Sequence, residues 1–156
     1  MPIITIQELA QITPPPFPLL GLDVGSKTIG ISLSDRLGMI ASPLMTINRT
    51  KFSQDIMILQ NLVTEHKIKG FVVGLPLNME GTRSARTQST QQFAQNLLAH
   101  IDLPVVMVDE RLSTSAVTHV MLDADLSRKR RAVLVDKLAA TYILQMALDL
   151  MRNTAV

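Results

Sequence analysis

The sequence has no cysteine, no tryptophan and only 3% aromatic residues in its 156 positions. Without cysteine there is no thiol nucleophile, no zinc ribbon and no iron–sulfur ligation. The three histidines, His66, His100 and His119, are too far apart in sequence to form a local His-x-x-x-His metal site. The few aromatic side chains also leave little surface for stacking unpaired bases. These absences exclude most thiol and zinc chemistry.

The sequence also lacks a long apolar run and has no basic residue before Lys27, so neither a membrane span nor a basic signal-peptide segment is expected. We therefore expect a cytoplasmic protein without a membrane partner. The formal net charge is only +2, so a nucleic-acid partner must be argued from local clusters of cations. The length predicts one domain, over residues 19–156. Prolines fill much of 14–18, so residues 1–18 are predicted to be an extended, proline-rich lead-in.

Hydrophobic periodicity predicts the element order β-β-β-α-β-α-β-α-α from residue 19 onward. The predicted strands are 19–24, 28–34, 40–47, 71–75 and 105–109. The first predicted helix has Ser53 as its N-cap, and the others begin at 84–85, at 113 and at 132, the last one after a basic loop over 127–131. An antiparallel meander followed by parallel strands gives a mixed five-stranded sheet with helices on both faces. This α/β order is that of the ribonuclease H-like fold.

Carboxylates fall at three places where such a sheet could present ligands. Asp23 lies inside the first apolar strand, where an unpaired charge is strongly destabilising. Asp109 and Glu110 follow a buried strand at its carboxyl end, the usual ligand-binding edge of an α/β sheet. Asp136 lies on the apolar stripe of the last helix, not on its polar stripe. Each has a structural alternative: an acceptor in a turn, a solvated loop, or a first-turn aspartate favoured by the helix dipole.

Taken together, these acids predict a cation site. Carboxylates that meet at one end of a sheet repel one another unless a cation is bound, and oxygen-only ligands suit Mg²⁺ or Mn²⁺. Such a cluster can hold two metal ions for an in-line phosphodiester displacement. Because neighbouring residues of a strand point to opposite faces, only one of Asp109 and Glu110 can share a site with Asp23.

Basic residues cluster in the loops that are predicted to lie at the same end. Such clusters beside a metal centre suit a phosphate backbone, although a solvated charged surface is the common alternative. The predicted nucleic-acid contacts are Lys27, Arg83, Arg86, Arg111, Arg128, Lys129, Arg130 and Arg131.

Four short motifs occur in order between residues 19 and 151. They are Gly21-x-Asp23-x-Gly25 with Ile29-Gly30, Val73-Gly74-Leu75-Pro76-Leu77, Asp109-Glu110-Arg111-Leu112, and Asp136-Lys137 with Ala139-Ala140. As a set, these motifs resemble the YqgF/RuvX-type family of pre-16S rRNA nucleases and Holliday junction resolvases. That family is related to the RuvC-like resolvases and has the ribonuclease H-like fold.

The resemblance implies a two-metal endonuclease, dependent on Mg²⁺ or Mn²⁺, that cuts phosphodiester bonds in structured nucleic acid. The catalytic and metal-ligating acids map onto Asp23, Glu110 and Asp136, with Asp109 as the alternate to Glu110. The favoured substrate is the 5′ end of pre-16S rRNA, in ribosome biogenesis; the family alternative is a four-way DNA junction. A non-catalytic RNA-binding or transcription-associated factor would keep the basic residues and need no acids. The sequence leaves open whether the protein is a monomer or a homodimer.

Overall fold

The computed structural model describes residues 3–12, 18–77, 84–109 and 128–154, and these form a six-stranded sheet with helices on both faces. The elements are β1 (Ile3–Ile4), α1 (Ile6–Ile12), β2 (Leu19–Val24), β3 (Thr28–Ser34), β4 (Ala41–Asn48), α2 (Phe52–His66), β5 (Gly70–Leu75), α3 (Ala85–His100), β6 (Val105–Asp109) and α4 (Arg128–Thr154).

The strand order is β1-β6-β5-β2-β3-β4. Strands β2, β3 and β4 are antiparallel neighbours, whereas β5 pairs parallel to both β2 and β6. The predicted meander followed by parallel strands is confirmed. The predicted number of five strands is wrong by one, because Ile3 and Ile4 pair parallel to Val105 and Val106 and add β1 at the edge.

The additional strand is followed by a helix, so the prediction of an extended lead-in is wrong for residues 3–12. Thr5 and Glu8 cap α1 reciprocally: the Glu8 N–H donates to Thr5 Oγ1 (3.1 Å), and the Thr5 N–H donates to Glu8 Oε1 (3.4 Å). Leu9 is fully buried and packs in the same apolar cluster as α4. The rest of the predicted lead-in, residues 1, 2 and 13–17, lies outside the described residues.

Strand β2 contributes side chains to two apolar cores. Leu20, Leu22 and Val24 pack with residues of α2 and α3, whereas Leu19 packs with residues of α1 and α4. This alternation follows from the two-residue period of a strand. Both faces of the central strand are therefore covered, and its polar residue, Asp23, lies where the strand reaches the edge of the sheet.

The helix boundaries correct two further predictions. Helix α2 begins at Phe52 with Lys51 as its N-cap, so Ser53 lies within the helix and is not its N-cap. The helix ends at His66, and its C-cap, Lys67, has left-handed backbone angles (φ 56°). Helix α4 begins at Arg128, so the predicted basic loop over 127–131 is helical from Arg128 onward. The helix predicted over 113–124 lies outside the described residues.

Candidate active site

Asp23 occupies a gap in the side-chain layer of the sheet. It pairs with Gly30 of β3, and on its other side lies Gly74 of β5, because Leu22 pairs with the preceding residue, Val73. Neither glycine has a side chain, so neither of these two neighbours flanks the carboxylate with a side chain of its own. Only 12% of the Asp23 side chain is exposed.

Arg86 is the cation that the structure brings to Asp23. Its Nη2 lies 3.9 Å from Asp23 Oδ1, and the arginine side chain is 55% exposed. Because the Arg86 side chain is half-exposed, solvent screens part of this ion pair. Arg86 was among the predicted nucleic-acid contacts, and its ion pair with Asp23 had not been predicted.

The position of Arg86 is fixed by the start of α3. Ser84 and Thr87 form a capping box, in which the Thr87 N–H donates to Ser84 Oγ (3.3 Å) and the Ser84 N–H donates to Thr87 Oγ1 (3.0 Å). The Thr87 hydroxyl also donates to the carbonyl of Pro76, directly after β5. This contact fastens the first turn of α3 to the carboxyl end of the sheet.

Helix α4 packs on the face opposite to α3, the face that Leu19 shares with Gly21 and Asp23, and runs antiparallel to β2. Ser32, which pairs with Gly21, donates from its hydroxyl to the Ala140 carbonyl (2.7 Å). Gln145 accepts from the N–H of Ala41 in β4 (2.8 Å). Ala41 pairs with Ser34 of β3, so it is level with the amino end of β2. From Ala140 back toward its N-terminus, the helix therefore runs toward the carboxyl end of β2.

This direction carries Asp136 toward Asp23. Asp136 lies one helical turn before Ala140, about 6 Å along the axis, and Asp23 lies two residues after Gly21, about 7 Å along the strand. A Cβ on Gly21 would lie 2.8 Å from the Ala140 carbonyl oxygen, so this glycine faces α4, and by the two-residue period Asp23 does as well. The Asp136 side chain itself lies outside the described part of the structure.

Strand β6 separates Asp109 from that face. Val106 and Val108 pack in the cluster with α4, whereas Val105 packs with α2 and α3. Asp109 has the parity of Val105, so it falls on the face opposite to Asp23, and the next position, 110, has the parity of Val108. Glu110, Arg83 and Arg111 lie outside the described residues, as do the side chains of 128–131.

Lys27 and Arg49 line a cavity of about 690 Å³ beside Asp23, together with Arg86. Arg49 is a residue that the sequence reasoning missed. Its Nη1 donates to the Gly25 carbonyl (2.6 Å), and its guanidinium carbon lies 5.5 Å from the centre of the Phe93 ring. Only the folded chain brings these partners together, so no local pattern in the sequence could have identified Arg49.

No group of three or more histidine, aspartate or glutamate side chains converges as a metal site in the described ranges. No helix in those ranges combines the length and apolar character needed to span a membrane.

Comparisons with known proteins agree with the motifs. Residues 18–150 match the family model described as "RuvX: Holliday junction resolvase". A protein of Phenylobacterium zucineum named "Putative pre-16S rRNA nuclease" is 48% identical over 155 residues, covering 98% of this chain and 99% of that protein. A protein of the same name from Rhodobacter capsulatus is 54% identical over 144 residues, covering 92% and 91%.

A solved structure supports the fold. The RuvC protein of Thermus thermophilus, in complex with a Holliday junction substrate, matches with a TM-score of 0.54 at 14% identity. The match covers 88% of this chain and 97% of that one. This similarity confirms the predicted ribonuclease H-like fold, while the family model and the relatives confirm the predicted family. The chain therefore belongs to the RuvX family of nucleases.

Proposed function

We propose that this protein is a metal-dependent endonuclease that processes the 5′ end of pre-16S rRNA in the cytoplasm. The observation that carries the proposal is the position of Asp23, between Gly30 and Gly74, on the face that α4 crosses toward Asp136. The names of the relatives support the choice of ribosomal RNA precursor as substrate.

The donor set proposed for the metal is Asp23, Glu110 and Asp136. Three carboxylates offer only oxygen ligands, which suit Mg²⁺ or Mn²⁺. The two glycines beside Asp23 fit this assignment, because a Cβ at either position would narrow the space next to the carboxylate. Bound there, one or two such ions would polarise the phosphate and lower the pKa of the attacking water.

The parity of β6 supports Glu110 over Asp109. Asp109 falls on the face packed against α2 and α3, and only the neighbouring position has the parity of Asp23. Glutamate is also one methylene longer than aspartate, which suits a ligand that must reach across β5 toward Asp23.

The basic residues would bind and orient the substrate strand. Lys27 and Arg86 flank Asp23 at the edge of the sheet, where they would contact phosphates on either side of the scissile bond. Arg86 would also hold Asp23 by their ion pair before substrate binds. The other proposed contacts rest on their charge and their position in the sequence. They are Arg83, Arg111, Arg128, Lys129, Arg130 and Arg131.

The four-way DNA junction is the second candidate substrate. It is favoured by the description of the matching family model, Holliday junction resolvase. The same metal chemistry would serve both substrates, so the two candidates differ in the shape that is recognised and not in the reaction.

Replacement of Asp23 tests the proposal. Purified protein and its Asp23→Asn variant are incubated with Mg²⁺ or Mn²⁺ and, in separate reactions, with a labelled pre-16S leader RNA and a labelled four-way DNA junction. Even outer-shell partners of metal sites are worth about 10–100-fold in activity, so the loss for a direct ligand is expected to exceed about 100-fold. The thermal midpoint of the metal-free protein should not fall, because removing one of the carboxylates proposed to meet at this end of the sheet relieves their mutual repulsion.

The matched control is Asp35→Asn, at the opposite end of the sheet. Asp35 accepts the N–H groups of Met39 and Ile40, so its replacement changes a turn and leaves the proposed site intact. Cleavage of the junction alone would establish the second candidate. Binding of either nucleic acid without cleavage by the wild-type protein would overturn the nuclease proposal in favour of a non-catalytic RNA-binding factor.

A further inference from the structure

Arg86, which pairs with Asp23, also lines a cavity together with Lys27 and Arg49. It lies between the turn that joins β2 to β3 and the first turns of α3, and its volume is about 690 Å³. We propose that this cavity binds a backbone phosphate of the substrate strand, with Arg49 and Lys27 as its binding residues. The proposal rests on the function proposed above, since it takes the ligand to be nucleic acid.

Arg49 is held in the cavity wall from two sides. Its guanidinium donates to the Gly25 carbonyl (2.6 Å) and lies over the Phe93 ring (5.5 Å to the centroid). Its backbone N–H donates to the Lys27 carbonyl (2.8 Å), which joins the end of β4 to the turn after β2. A guanidinium has five N–H donors, so a bond to one carbonyl leaves donors for a phosphate. A side chain that is already positioned loses little entropy on binding.

The charge of the lining favours an anion. Among the described residues that line the cavity, Lys27, Arg49 and Arg86 are cations and none is a carboxylate. The hydroxyl groups of Ser26 and Ser89 lie in the same lining, and serine hydroxyls are common donors to phosphate oxygens. Three cations in one concave surface raise the local concentration of anions.

The cavity is suited to a phosphate and not to a base. Among its described lining residues there is no aromatic ring on which a base could stack. The Phe93 ring is buried and lies behind the Arg49 guanidinium. Because Arg86 lines the cavity and also pairs with Asp23, a phosphate bound here would be close to the one that is cut.

The test measures binding without cleavage. Labelled stem-loop RNA and a labelled four-way DNA junction are titrated in EDTA with the wild-type protein and with Lys27→Ala, Arg49→Gln and Arg49→Lys. Each lost phosphate contact lowers the slope of log affinity against log salt by about 0.9 for duplex or about 0.7 for single strands. We expect a decrease of that size for Lys27→Ala and for Arg49→Gln in both arms, with the slope restored by Arg49→Lys.

The control is Arg36→Ala. Arg36 lines a separate cavity of about 580 Å³ at the other end of the sheet, and its replacement should leave the slope unchanged. Lys27 is exposed, so Lys27→Ala decides the outcome if Arg49→Gln does not fold. Unchanged slopes for folded Lys27→Ala and Arg49→Gln would overturn the proposal, as would a decrease in one arm only, because both substrates carry phosphate.

The same data separate this inference from the proposed function. Decreased slopes in a protein whose wild-type form cuts neither substrate would support the phosphate site and contradict the nuclease. Cleavage that depends on Asp23, with unchanged slopes in both variants, would do the reverse.

Discussion

The two ends of the sheet each carry an aspartate at the end of a strand, and the two carboxylates have different surroundings. Asp35 follows β3 and accepts backbone N–H groups from Met39 (2.7 Å) and Ile40 (3.1 Å), so it stabilises the turn in which it lies. Asp23, near the end of β2, lies between two glycine positions and pairs with the half-exposed Arg86. One carboxylate holds a backbone turn, and the other forms an ion pair with a half-exposed arginine.

The cavities at the two ends differ in the same way. At the Asp35 end, the cations Arg36, Lys67 and Lys69 share the cavity with the carboxylates Asp35 and Glu65. At the Asp23 end, the described lining has cations and hydroxyl groups without a carboxylate. The two cavities, of about 580 and 690 Å³, therefore differ more in the charge of their described lining than in size.

The comparison between the two ends of the sheet can be tested by variants at the Asp23 end. The largest effect is expected from substitutions of Asp109 and Glu110. Glu110→Gln should abolish cleavage at every Mg²⁺ or Mn²⁺ concentration tested, because it removes one of the three charged carboxylates that are proposed to hold the metal. Asp109→Asn should leave partial activity, since strand parity places Asp109 on the face opposite to Asp23. Initial rates on the RNA and the DNA substrate measure both.

Each outcome of that comparison has a structural meaning. The reverse pattern would make Asp109 the ligand. It would require the end of β6 to turn the Asp109 side chain to the face of Asp23. Equal and mild effects would remove the end of β6 from the active site and leave Asp23 and Asp136 to bind the metal alone.

A smaller effect is expected from Gly21→Ala, which acts on the distance between β2 and α4. The new methyl group would lie 2.8 Å from the Ala140 carbonyl and from Leu144 Cβ, and it would also meet Ser32 Oγ. Overpacking of this kind destabilises by about 1–3 kcal/mol, which corresponds to a fall of roughly 2–12 °C in the thermal midpoint. Cleavage per folded molecule should also fall, because the helix that carries Asp136 is pushed away from Asp23.

Gly38→Ala is the control at the other end of the sheet. Gly38 has a left-handed backbone (φ 69°), so a side chain there introduces strain of about 1–2 kcal/mol. Thermal stability should fall while cleavage per folded molecule stays constant. Equal losses of cleavage in both variants would mean that general destabilisation, and not the spacing of α4 and β2, limits activity.

The fold could be predicted where local patterns were strong. Strands β2, β3 and β6 are predicted at their observed boundaries, because β2 and β6 are short apolar runs and β3 alternates apolar and small residues. Helix α1 was missed although its capping signal, Thr5-x-x-Glu8, is present, since the prolines after residue 13 were taken to describe the whole segment. Prolines exclude a helix only at and just before their own positions.

The site could be predicted only in part for a different reason. Asp23 and Arg86 stand out in the sequence, one as a charge in an apolar strand and the other in a basic loop, and the structure brings them within 3.9 Å. Arg49 could not be found, because its partners Gly25 and Phe93 lie 24 and 44 positions away in the chain. The face of the sheet on which each β6 side chain lies could not be predicted either, because it follows from the observed packing of the valines.

The smallest effect is expected from Gln145→Ala, at the end of α4 far from Asp136. Gln145 accepts from the Ala41 N–H (2.8 Å) and donates to the Met39 carbonyl (2.9 Å), and Arg152 also donates to that carbonyl (3.1 Å). Because Arg152 still satisfies Met39, the loss of stability should be about 1 kcal/mol, or about 2–4 °C in the thermal midpoint.

Cleavage by the folded Gln145→Ala variant should be unchanged, since these bonds only fasten the β3–β4 hairpin to α4. Gln145→Glu is the companion variant: it keeps an acceptor for the Ala41 N–H but places a second carboxylate beside Asp149, to which Gln145 now donates (3.0 Å). Like charges one helical turn apart repel, so this variant should be less stable than Gln145→Ala in low salt and should recover as salt is added. A loss of cleavage in either variant at full folding would show that the hairpin end controls the position of Asp136, and the two ends of the sheet would then have to be treated as one coupled unit.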